Sequence, residues 1–200
     1  MASRTSNPLA HHLLTQAYNN AWADHRLLRA CSALSQSEFD DTTRTSFFPG
    51  IGLTLNHLVT VQQFYVDALW RERRGETPHP DIAAFFTPPA PYATCDAVWQ
   101  AQKATDNALI AYCRGLTDDA LDAVVTILRA DSVQRDTRQR LLAHLFEHQV
   151  HHRGQVHAML AGTGVPPPQL DEFYASGEAP LRAQDFAELG WTEEEIWGQA

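Results

Sequence analysis

Apolar positions return at helical spacing over four long stretches of the chain. In "SNPLAHHLLTQAYNNAWADHRLLRACSAL", Asn7 stands where a helix N-cap belongs and Pro8 at the first helical position. Apolar residues then recur through Leu14, Tyr18, Trp22 and Leu28, which predicts a first helix. A second is expected to start past the Pro-Gly turn of "SFFPGIGLTLNHLVTVQQFYVDALWRERRG" and to end in a basic last turn before Gly75. Thr94 can cap a third, "CDAVWQAQKATDNALIAYCRGL", which Gly115 would terminate. The fourth runs from about Thr137 through "RQRLLAHLFEHQVHHRGQVHAMLAG" and stops at Gly162, ahead of Pro166, Pro167 and Pro168.

The pieces between them are weaker. The proline-dense segment 76–93 cannot be one continuous helix or a central strand and reads as a packed loop with at most one short helical turn. "LDAVVTILRADSVQRDT" joins a β-branched run to an Asp-Ser turn candidate, so a short hairpin or an irregular extended segment is expected. Near the C-terminus, Thr192 and Glu195 fit a capping box, and Trp191 and Trp197 could pin a short helix to the body. With no internal repeat or flexible linker, the pattern predicts an all-α four-helix bundle with a short C-terminal helical extension. It would form one domain over 1–200, its core about 8–162 and its tail 163–200.

Charge narrows the functional classes. A net charge of -9 and a pI near 5.5, with no basic tract, oppose binding to a phosphate backbone, so no nucleic-acid partner is expected. The apolar runs are far shorter than a membrane span and "MASRTSNPLAHHLLT" lacks a secretory apolar core, which points to no membrane partner and a cytoplasmic location. Cys31, Cys95 and Cys113 form no C-x-x-C pair, so they read as reduced core fillers rather than a disulfide framework or a thiolate zinc site.

Histidine is the conspicuous residue: five of ten lie in "HLFEHQVHHRGQVHAML". On a helix turning by about 100° per residue, Leu141, Leu145, Val156 and Met159 occupy a sector of roughly 60°, the expected core face. His148 and His152 fall in or beside that sector, His144 and His151 at its edge, and His157 on the far side, facing solvent or another subunit. Two imidazoles four residues apart on one face can reach a single cation. His57 is the leading third ligand, because it shares a face with Leu53, Val61, Phe64 and Ala68, where an unpartnered imidazole would be desolvated at a cost. His25, beside Leu14, Tyr18 and Ala21, is a rival, although a lone histidine on an apolar face is ordinarily a hydrogen-bonded core residue. Gln155, close in angle to His148, could orient a ligand or serve as a support. Glu147 and Arg153 read as surface residues, and Gly154 as a point of close helix packing. Neither protease zinc motif is present, no G-x-S-x-G elbow is found, and paired Glu-x-x-His motifs for a di-iron bundle are missing.

"YNNAWADHRLL", "TLNHLVTVQQFYVDALW" and "HLFEHQVHHRGQVHAMLAGTGVPPPQLD" resemble the three diagnostic blocks of the DinB family, spread over about residues 10–172. The resemblance implies a four-helix bundle of left-handed connectivity, often a homodimer, with a divalent metal held by three histidines. Its ligand positions fall on His57, His148 and His152, the residues that helical geometry also selects. Relatives include mycothiol-dependent maleylpyruvate isomerase and bacillithiol transferases; in the isomerase branch one ligand is Glu where this chain has His148. Helix one carries Asp24 and His25 in place of an Asn-containing motif, which puts His25 at the pocket in an atypical way. The expected cofactor is Zn, Ni or Fe, and the expected partner a small-molecule substrate with a low-molecular-weight thiol. The reaction expected is S-transfer or isomerisation of a small electrophile. Metal-dependent hydrolysis, a non-catalytic metal-binding stress protein and a metal-free helical interaction module are the competing readings.

Overall fold

The computed structural model describes residues 7–198. In chain order its helices are α1 (Pro8–Cys31), α2 (Gln36–Asp40), α3 (Ile51–Arg74), α4 (Cys95–Arg114), α5 (Arg138–Leu160), α6 (Ala179–Leu189) and α7 (Glu193–Trp197). A hairpin of β1 (Val124–Leu128) and β2 (Val133–Thr137) precedes α5. The fold is all-α apart from that hairpin, as the periodicity predicts.

Local chemistry accounts for most boundaries. Thr94 and Thr137 accept the N–H groups of Ala97 and Arg140, capping α4 and α5. Gly75 ends α3 at φ 67°, a conformation that favours a residue without Cβ. Asn7 behaves differently from expectation: it makes no side-chain bond within α1, and instead its Oδ1 accepts from the Asp118 N–H at 3.1 Å. Asp118 Oδ1 takes the free N–H of Ala10 at 2.8 Å, so a carboxylate just beyond α4 caps α1. At Thr192 half of the predicted box forms. Its hydroxyl accepts from Glu195 N–H, while the Glu195 carboxylate turns to Tyr18 and Arg114.

Four long helices make the bundle. α1 packs on α4 and α5, and α3 packs on the same two, which leaves α1 and α3 on one diagonal and α4 and α5 on the other. Two apolar clusters stack along the bundle. α1 enters through the one holding Ala17 and Trp22 and leaves through the one holding Leu27 and Cys31, and α5 runs the same way, from Leu145 to Leu160. α3 runs from Ile51 to Leu69 and α4 from Val98 to Tyr112, the opposite sense. The neighbours α3 and α4 are therefore parallel, and the chain between them must travel back the length of the bundle. This is the work of the proline-dense 76–93 segment, whose one ordered turn is a short helical turn at Ile82–Phe85 capped by Asp81. The hairpin forms in the register Val124↔Thr137 and inserts Val125 and Ile127 into the core against α3.

Between the apolar clusters lies a layer of buried polar side chains from all four helices: Asn20 and Asp24, Gln62, Gln102 and Asp106, and Arg153. Asp106 Oδ1 accepts amide hydrogens from Asn20, Gln62 and Gln102 at 2.7–3.1 Å. Arg153 donates to Asn20 Oδ1 at 2.5 Å and to Asp24 Oδ1 at 3.1 Å. Arg153, read from sequence as a surface residue, is thus buried at 4 % exposure, because α1 supplies an internal carboxylate and amide to receive it. Gly154 is also corrected: a Cβ there would meet nothing within 4 Å, so it does not mark a close helix approach.

The tail is bound to α1 by ionic and aromatic contacts. Arg26 pairs with Asp185 and with Glu172, both at 2.6 Å, and Trp22 Nε1 donates to Asp185 at 3.1 Å. Two of the short helices were not foreseen. α2 is announced by a complete capping box of Ser35 and Glu38, and α6 starts with Pro180 in its first turn. His157, expected to face solvent or another subunit, is half-buried with Nε2 3.0 Å from the Pro168 carbonyl oxygen, where the tail folds back.

Candidate metal centre

The packing of α3 on α5 brings His57 opposite His148 and His152. A side-chain bond sets the register: Gln149 Nε2 donates to the Leu58 carbonyl at 3.0 Å, one residue from the facing histidines on each helix. His57 Nε2 and His148 Nε2 are 3.0 Å apart. The His152 ring centroid lies 4.6 Å from that of His57 and 4.4 Å from that of His148. One ligand nitrogen from each of the three falls within 4.8 Å of the others, a group that could hold a metal ion.

The hydrogen bonds around these rings prepare nitrogen lone pairs. His152 Nδ1 is 2.8 Å from Gln155 Oε1, an oxygen that can only accept, so the proton of neutral His152 sits on Nδ1 and Nε2 carries a lone pair. The amide nitrogen of Gln155 donates in turn to His151 Nε2 at 3.1 Å. The facing nitrogens of His57 and His148 compete for one proton, and His148 Nδ1 is buried without a hydrogen-bond partner. The protein alone does not satisfy these imidazoles. A cation would take the facing Nε2 lone pairs of His57 and His148 and end their competition for one proton.

Electrostatics keep the rings neutral. Burial, then the charge of His152, lowers the pKa of His57 to about 4. Burial, followed by His152, His57 and the flanking His144 and His151, lowers that of His148 to about 3. His152 is lowered chiefly by burial, against the opposing hydrogen bond to Gln155. Neutral imidazole is the metal-binding form, so the donor set fits a divalent cation.

Phe48, which sequence reasoning passed over, covers the centre: its ring centroid is 4.5 Å from His57 and 5.7 Å from His152. The signal was two adjacent aromatics just before a Pro-Gly turn, a place where apolar side chains need a surface to rest on. Phe48, Leu53, Thr60, Phe86 and Pro89 line, with His57, a cavity of about 120 Å3. Around it the remaining sequence candidates separate. Gln155 touches the centre through His152. His144 is exposed, edge-on to Tyr65, with its ring 6.2 Å from that of His148. His151 is exposed beside His152. His25 stands apart from the triad, bonded to Glu188 Oε2 at 2.8 Å and edge-on to Trp99. Its own acidic neighbours, Asp185 and Glu188, are engaged by Arg26 and Arg29, which makes that grouping a poor cation site. Glu147 is exposed.

No helix among the described residues is long and apolar enough to cross a membrane, and Cys31, Cys95 and Cys113 are free thiols. No curated protein was found to match the chain. The DinB family matches it over residues 6–185, nearly the whole length and both of the helices, α3 and α5, that build the histidine centre. The chain belongs to the DinB family.

Proposed function

We propose that this protein is a divalent-metal-dependent enzyme in which His57, His148 and His152 hold the cation, acting on a small electrophile with a low-molecular-weight thiol as co-substrate. The observation that carries the reading is a group of three neutral imidazoles whose ligand atoms lie within 4.8 Å of one another, with no fourth His, Cys, Asp or Glu in that group among the described residues. A structural site is ordinarily closed by a fourth protein ligand, whereas three protein ligands leave room for a reactant. A divalent cation held there, zinc, nickel or iron, would supply Lewis acidity that makes a bound thiol or water a nucleophile at neutral pH.

The chain's own residues do the rest. Gln155 holds His152 in the tautomer that offers Nε2. Phe48 excludes water from one side of His57 and His152. The apolar cavity bordered by Leu53, Thr60 and Phe86 accepts a small electrophile next to the centre, and its size excludes anything much larger than one ring or a short branched chain. S-transfer and thiol-assisted isomerisation use the same arrangement; hydrolysis at the same cation is the alternative when water takes the place of the thiol.

The test is metal content by elemental analysis of the wild type beside His57→Ala, followed by an electrophile panel with several low-molecular-weight thiols. Near-stoichiometric metal lost in the variant, and thiol-dependent turnover lost with it, is expected. Stoichiometric metal that survives His57→Ala overturns the ligand set. Absence of turnover with every thiol removes the transferase chemistry.

A further inference from the structure

A second cavity, of about 110 Å3, shares no lining residue with the histidine centre; α1, α4 and the end of α6 enclose it. Its apolar lining includes Leu28, Leu189 and the indoles of Trp99 and Trp191. An apolar cavity of about 150 Å3 is known to take a benzene ring, so this smaller one accepts at most a single ring, with part of it at the open rim. Indole walls favour a planar aromatic guest through offset and edge contacts.

The polar lining residues are His25, Gln102, Lys103, Asp106, Asn107 and Glu188, and they are unequal. Lys103, at the rim, is the chain's only lysine and makes no hydrogen bond or ion pair among the described residues. The acidic groups that face the cavity are already answered. Glu188 is paired with Arg29 at 2.9 Å and bonded to His25 at 2.8 Å. Asp106, 5 % exposed, spends Oδ1 on three amide donors. Burial and the nearby Asp24 carboxylate raise Asp106, so that it holds its proton at neutral pH and presents a donor rather than a charge. The cavity therefore combines one uncompensated cation with two indoles in its lining.

We propose that this cavity binds a small aromatic monocarboxylate, its ring against the Trp99 and Trp191 indoles and its carboxylate on the Lys103 ammonium. A neutral arene would leave Lys103 unused, and a cation would meet Lys103 as a like charge. The site is independent of the proposed metal chemistry, since neither Lys103 nor the two indoles touch the histidine triad.

The probe is benzoate, titrated into the purified full chain with and without added zinc, followed by tryptophan fluorescence and calorimetry. Saturable one-to-one binding is expected in both states. Lys103→Gln, at an exposed position that leaves the fold intact, should weaken benzoate about tenfold or more while leaving the neutral probe benzyl alcohol unaffected. Trp99→Leu should weaken both probes, with helix content checked by circular dichroism. His57→Ala should leave benzoate binding unchanged. No saturable binding, equal affinity in wild type and Lys103→Gln, or tighter binding of benzylamine than benzoate overturns the proposal. Loss on His57→Ala without loss on Lys103→Gln would put benzoate at the histidine centre. That outcome also overturns the cavity assignment, and it leaves the metal reading standing.

Discussion

Gln155 Oε1 lies 2.8 Å from His152 Nδ1, one turn along the same helix, and fixes which nitrogen His152 turns toward His57 and His148. Removing that acceptor leaves the ring free to flip or change tautomer while the three ligand positions remain. Gln155→Leu should therefore bind zinc or nickel about 10–100-fold more weakly, with little change in helix content or in metal-free stability. Competition with a chromophoric chelator measures it. An affinity within twofold of wild type would show that Gln155 has no part in the centre.

His57 is the one member of the triad on α3, so a cation bound by all three ties α3 to α5 only while His57 is present. A ligand that binds the native state alone stabilises it by about 2.7 kcal/mol at a concentration 100 times its Kd. For a chain of this size that corresponds to a rise in Tm of roughly 5–10 °C. Added zinc or nickel should produce a shift of that order in the wild type and none in His57→Ala. Thermal scans with metal and with chelator check it, and equal shifts in both proteins would contradict the assignment.

Sequence reasoning reached the triad because the helical period alone brings His148 and His152 to one face and puts His57 among apolar neighbours. It could not place Arg153. A charged residue next to that face reads as solvated unless its partners are known, and Asp24 and Asn20 lie on α1, well over one hundred positions away. The cap of α1 was hidden for the same reason: Asn7 looked sufficient, while the acceptor for Ala10 comes from Asp118. α2 differs, since Ser35 and Glu38 carry its capping box within four residues and were legible in principle. The surroundings of His25 also needed the tail, because its partner Glu188 lies on α6.

Asp185 is 2 % exposed and receives Arg26, Arg29 and the Trp22 indole, so it anchors α6 to α1 from inside. Breaking a buried pair by deleting one partner typically costs about 3–5 kcal/mol, because the other charge is left behind. Arg26 would keep Glu172 and two backbone carbonyls, so Asp185→Ala should fall near the low end, at about 3 kcal/mol. Urea unfolding is the measurement. The double variant Arg26→Met with Asp185→Leu should recover part of the loss, and an additive further loss would show that the pair itself is strongly stabilising.

The polar layer sets a pH dependence whose sign follows from Asp106. Burial, then the neighbouring Asp24 charge, raises its pKa to about 8, against the lowering effects of the Gln62 and Gln102 amides and of Arg153. In the unfolded chain the same carboxyl titrates near 3.9. Because the folded value is the higher one, its contribution to stability is fully present below about pH 4 and is lost as pH rises toward 8, since folding must take up a proton across that window. Asp106→Asn keeps an oxygen to accept the three amides and a donor on the other branch, yet cannot ionise. The unfolding free energy of the variant relative to wild type should therefore move in the variant's favour as pH goes from 4 to 8, by up to about 1.4 kcal/mol per pH unit. Urea curves at pH 5, 6, 7 and 8, taken without metal so that the histidines do not confound the comparison, measure the slope. Parallel pH profiles for the two proteins would show that Asp106 is already ionised in the folded state, with Arg153 serving both carboxylates of the layer.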